Sequence, residues 1–136
     1  MITLNIDPAR AFAQALDRED YAAARGLLSP SCTYHIRSKT LRGREAVLSS
    51  YKTAGDWGQA HIDSIEYKSR VTRLSAFKYV IRFEDYLRHA GKRHKHVCRQ
   101  VMTLGPSGKI KDIRHKDLPG ERKALKDFFR KAGLGR

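Results

Sequence analysis

The period of the apolar residues changes from helical to strand after the segment Gly55-Asp56-Trp57-Gly58, and that change limits the folds open to this chain. Before it helical spacing predominates; beyond it long stretches alternate as strands do. Four strand candidates follow: Ile62 to Val71, Ala76 to Arg88, His94 to Leu104 and Lys109 to Lys116. The turn signals between the last three, Ala90-Gly91-Lys92 and Gly105-Pro106-Ser107-Gly108, are short. Strands joined so closely make an antiparallel, strongly curved sheet, and the amphipathic helices before them cover one face. The fold class is α+β.

The first half supplies three helices and a strand. Asp7 caps a helix that opens at Pro8, with Ala11, Phe12, Ala15 and Leu16 as its apolar stripe. A second helix starts near Asp20, carries Tyr21, Ala24, Leu27 and Leu28, and stops before Pro30. Ser31 to Ser38 alternates as a strand, with Cys32, Tyr34 and Ile36 on one face. A third helix runs from Arg44 to Lys52 and gives way to a glycine-rich loop that carries Trp57. The main domain spans residues 1–118. Residues 119–136 form a basic C-terminal helix and tail, whose Leu125, Phe128 and Phe129 share an apolar side that docks on the domain.

Length suits one hydrophobic core. Charge is uneven: residues 1–87 hold 13 Lys/Arg against 10 Asp/Glu, and residues 88–136 hold 15 against 4. That asymmetry favours either a polyanionic partner (nucleic acid or an acidic protein) or a plain solvated face. No run approaches the ~20 apolar residues of a membrane helix. The N-terminus lacks the order of a signal peptide. Cys32 and Cys98 have no metal or redox spacing and read as buried free thiols in a reducing compartment. The expected location is cytoplasmic, with no membrane partner.

The element order resembles the NTF2-like (SnoaL-like, ketosteroid-isomerase-like) cone folds. The phrases that carry the likeness are Ala15-Leu16-Asp17-Arg18-Glu19-Asp20, Leu27-Leu28-Ser29-Pro30-Ser31-Cys32-Thr33-Tyr34, Leu41-Arg42-Gly43-Arg44-Glu45-Ala46-Val47, and the hairpin from Gly105 to Ile113. The resemblance covers roughly residues 7 to 117. It implies a cone: a curved antiparallel sheet, three N-terminal helices on its concave face, a short C-terminal helix, and a cavity between sheet and helices. It also implies a homodimer through the outer sheet face. The isomerase residues are missing. Phe12 stands where that family has its tyrosine, Ile36 where it has its aspartate base, and Gln100 where it has its acidic hydrogen-bond donor. A fold of this kind does not select its own function.

Strand alternation assigns two faces. Inward are Tyr79, Ile81 and Phe83, then Cys98, Gln100 and Met102, then Ile113 and His115. With Phe12, Ile36 and Trp57 these are the expected pocket lining. Gln100, His115 and Tyr34 are the polar candidates for catalysis, and Asp85, His96 and Asp56 fall near the mouth. His115 is the acid–base candidate because imidazole titrates near neutrality; the other reading is a core-edge histidine bonded to a neighbour. The expected activity is binding of a small apolar or anionic ligand, with isomerase-, cyclase- or dehydratase-type chemistry. The alternatives are a basic binding module and a non-catalytic dimeric scaffold. Lys78, Arg82, Lys95, Arg99, Arg114 and Lys116 point outward as a basic surface. His94-Lys95-His96 suggests a metal, but no third ligand has motif spacing, so neither metal nor cofactor is expected.

Overall fold

The structure, a computed structural model, describes residues 7–134. The first six residues, part of the segment read above for targeting, and the last two of the tail lie outside them.

Helix α1 (Pro8–Asp17) starts as its cap residues dictate: the Asp7 carboxylate accepts the Arg10 amide at 2.7 Å. Its buried face is Ala9, Phe12, Ala13 and Ala15. Helix α2 (Tyr21–Leu27) repeats the device, with Asp20 accepting from Ala23 at 3.1 Å. Strand β1 (Leu28–Ile36) follows without a linker and turns back into a short β2 (Lys39–Arg42). Gly43, at φ +93, turns the chain into α3 (Arg44–His61). Four long strands complete the sheet: β3 (Ser64–Arg73), β4 (Lys78–His89), β5 (Lys92–Leu104) and β6 (Ile110–Asp117). Helix α4 (Glu121–Lys131) closes the chain.

The six strands form one curved sheet in the order β2-β1-β6-β5-β4-β3. All neighbours are antiparallel except β1 and β6, which run parallel. The register matches the alternation read from sequence. Phe83 stands opposite Cys98, Ile81 opposite Gln100, and Gln100 opposite His115. Among the described residues no helix is long and apolar enough to cross a membrane.

The glycine-rich loop expected after Lys52 is instead the second half of α3, and Trp57 sits on that helix. The glycines are there for space. A Cβ at Gly55 would run into the Tyr21 hydroxyl, and one at Gly58 into Cδ1 of Ile65. A helix normally loses about 0.5–1 kcal/mol with glycine in place of alanine. Here the loss accompanies close approach of α2 and β3 to α3.

Apolar packing falls into two separate clusters. The larger joins Phe12, Ala9, Ala13 and Ala15 of α1 to Leu28, Ile81, Met102, Ile110 and Ile113, all fully buried. The smaller joins α4 to the far end of the sheet through Ile62, Leu87, Phe128 and Phe129, with Trp57 and Leu125 against them.

Candidate functional site

Between the two clusters the concave side of the sheet is unfilled. The gap is a cavity of about 510 Å³, within the range of small-molecule sites. Leu16, Ile36 and Phe83 wall it from the large cluster; Trp57, Ile65 and Phe129 wall it from the small one. Trp57 stacks on His61 at 4.7 Å and tilts against Phe129 at 5.4 Å, which joins α3 to α4 along one wall. Three cations, Arg37, Arg122 and Lys126, also border the cavity.

Its polar floor is built around Gln100. The amide oxygen accepts from the Tyr51 hydroxyl at 2.5 Å, and the amide nitrogen lies 2.9 Å from the Tyr34 hydroxyl and 3.2 Å from Nδ1 of His115. A primary amide nitrogen only donates, so Nδ1 must be the accepting nitrogen of the imidazole. The ring proton is then on Nε2, which donates to Asp117 at 2.8 Å; Arg37 holds the same carboxylate at 3.0 Å. The network therefore assigns the His115 tautomer. It also occupies both ring nitrogens.

A second polar group enters from the other elements. Asp85 on β4 and Asp17 at the end of α1 both line the cavity. One oxygen of Asp17 accepts from Ser69 at 2.6 Å; the other is buried without a hydrogen-bond partner among the described residues. Burial raises the pKa of Asp17 despite that bond. Asp85 is pushed up to about 7, mainly by burial and further by the neighbouring Asp17 charge. Its side chain touches the cavity yet is surrounded by protein, so it feels an apolar environment while remaining reachable from within. Tyr21 and Tyr67 stand on the same lining. Burial holds both phenols protonated, Tyr21 with a pKa of about 12.

The residues singled out from sequence divide between the cavity and the closed core. Tyr34, Gln100 and His115 meet in one network, and Ile36, Trp57, Phe83 and Cys98 line the same space. Phe12, Tyr79, Ile81, Met102 and Ile113 lie instead in the large cluster, packed away from the cavity. Asp85 and His96 border the cavity, whereas Asp56 pairs with Lys52 at 2.7 Å. Asp17 had no signal of its own in the sequence: at the end of an amphipathic helix it reads as an ordinary solvated carboxylate. Cys32 and Cys98 are both free thiols, and burial pushes each up to about 12. Neither is a nucleophile at neutral pH.

On the outer face, Arg70, Arg82, Arg99 and Lys116 stand directly opposite one another across β3, β4, β5 and β6. Glu84 accepts from Arg82 at 2.9 Å and lies 3.8 Å from Lys95. Hydrogen bonds from Arg82 and Tyr86 hold its pKa down at about 2. Arg114 pairs with Asp112 at 3.2 Å, and Lys78 is exposed at the start of β4.

No family model matches the sequence, and no curated protein is similar to it in sequence. Solved structures are similar in fold. An LEH-like epoxide hydrolase from M. tuberculosis superposes with a TM-score of 0.64 at 16% identity, over 95% of this chain and 94% of that one. A polyketide-cyclase candidate from Xanthomonas campestris pv. campestris gives a TM-score of 0.67 at 14% identity, over 92% and 93%. An NTF2-like protein of unknown function from an Exiguobacterium gives 0.63 at 12% identity, over 82% and 98%. The fold of this chain is NTF2-like.

Proposed function

We propose that this NTF2-like domain binds a small, mainly apolar molecule in the cavity between its two cores and moves a proton on it through Asp85. The observation that carries the reading is the acid pair. Asp17 and Asp85 face a space walled by Leu16, Ile65 and Phe83, with no cation hydrogen-bonded to either carboxylate among the described residues. A structural carboxylate would be paired or solvated. A carboxyl group that titrates near 7 gives and takes a proton with equal ease at neutral pH.

Roles follow from position. Asp85 is the proton carrier, and Asp17 raises its pKa. Gln100 and His115, whose polar atoms are taken up within the network, hold the Tyr34 hydroxyl at the cavity floor where it meets the ligand's oxygen, and Arg37, Arg122 and Lys126 favour an anionic substituent at the border. The chemistry is of the isomerase, cyclase or dehydratase kind, or water addition as in the epoxide hydrolase that shares the fold. A panel of cyclic ketones and alicyclic epoxides, followed by thermal shift and turnover, tests this. A substrate found in the panel should lose about 10²–10⁴-fold in kcat with Asp85→Asn while still raising the melting temperature. Equal turnover by Asp85→Asn would overturn the reading.

The outer face supports a second function. Like charges in directly opposed sheet positions repel, and the row Arg70, Arg82, Arg99 and Lys116 has Glu84 as its adjoining acid. A polyanion laid across the strands would relieve that repulsion. Val80 and Val101, opposite each other beside the row, form the apolar seam proposed for a homodimer. A mixed-sequence oligonucleotide should bind with steep salt dependence, and Arg82→Ser with Arg99→Ser should flatten the slope by about two. Absence of binding at low salt would count against this reading.

A further inference from the structure

Strand alternation puts His94 and His96 on the inner face of β5, opposite Leu87 and Asp85. The turn Leu118-Pro119-Gly120, with Gly120 at φ +77, then reverses the chain so that α4 begins beside them at Glu121. One donor atom from each of these three side chains lies within 4.8 Å of the other two. Nδ1 of His96 is 4.0 Å from the Glu121 carboxylate, too far for a hydrogen bond. Nε2 of His94 and Nδ1 of His96 are out of contact with solvent and have no hydrogen-bond partner among the described residues. Buried polar atoms are nearly always paired. Three groups that converge without bonding to one another leave room for an ion between them.

We propose that His94, His96 and Glu121 bind one divalent transition-metal cation of the zinc class. Two imidazole nitrogens and one carboxylate oxygen suit zinc and its neighbours, whereas calcium and magnesium require oxygen ligands. Bonds of about 2.0–2.1 Å place tetrahedral ligands about 3.4 Å apart. Phe128 stacks on the His94 ring at 5.2 Å and limits its rotation. The third ligand is 25 residues beyond His96, and only the docking of α4 supplies it. The site does not depend on the acid–base role given to Asp85.

The test is a zinc titration of the chelator-treated, tag-free protein near neutral pH, followed by calorimetry, with cobalt(II) absorbance as a second readout. The expected result is one equivalent at micromolar or tighter affinity. His94→Ala with His96→Ala should abolish it together with the cobalt spectrum. Glu121→Gln, a surface change that keeps the side chain's shape, should weaken it by at least the roughly 10- to 100-fold that loss of an outer-sphere partner costs. His35→Ala with His61→Ala should leave it unchanged. Zinc affinity no better than millimolar, or one-equivalent binding that survives both ligand-site variants, would overturn the proposal.

Discussion

Asp85→Asn is expected to stabilise the protein by roughly 2–4 kcal/mol near pH 8 and to leave stability unchanged at about pH 3. The sign follows from proton linkage. The folded carboxyl holds its proton up to about pH 7, while the ordinary value is 3.8. Well below 3.8 both states carry the proton, and Asp85 contributes no difference. Between these values unfolding releases the proton, so stability falls as pH rises. Above about 7 the charged group sits in the cavity wall, and the whole penalty applies. Asparagine never carries that charge. Urea denaturation of both proteins across this range checks the expectation: the curves should coincide in acid and separate toward alkaline pH. A stabilising substitution at a residue given the reacting role is the usual signature of a site whose chemistry opposes stability.

Gln100→Leu should cost about 3–5 kcal/mol, because one side chain satisfies three others. Its amide serves the Tyr51 and Tyr34 hydroxyls and Nδ1 of His115. Gln100 is 3% exposed, and each buried polar group left unpaired costs about 1–3 kcal/mol. Removing two partners together costs less than removing one alone. Adding Tyr51→Phe to Gln100→Leu should therefore recover part of the loss, which a double-mutant cycle by thermal or urea unfolding measures. A loss below about 1 kcal/mol would mean that the amide is not the centre of the floor.

The sheet was legible in the sequence because its inner residues alternate on three consecutive strands. Once Phe83, Cys98 and Gln100 were assigned to one face, their cross-strand neighbours followed. Alternation separates inside from outside, but it does not separate a packed interior from an open one. Ile81 and Gln100 are direct neighbours, yet α1 and Phe12 cover the first while the second borders a cavity. That difference depends on which helix lies above each row. The same limit explains α3, where Gly55 and Gly58 read as a break until Tyr21 and Ile65 are seen to need the space. Asp17 and Asp85 come together through the packing of α1 over β3 and β4, and neither carries a local motif. Glu121 likewise joins His94 and His96 only when α4 folds back. Pairing of β1 with β6 in parallel is a long-range contact with no short-range cue.

The most direct test of the acid–base site is a carbon-detected NMR titration of the Asp85 carboxyl in the wild type and in Asp17→Asn. A midpoint near 7 is expected in the wild type. In Asp17→Asn it should be lower but still above the ordinary value, because burial is the larger cause and remains. A wild-type midpoint at the ordinary 3.8 would contradict the account: the cavity would then present a plain carboxylate with no proton to give at neutral pH.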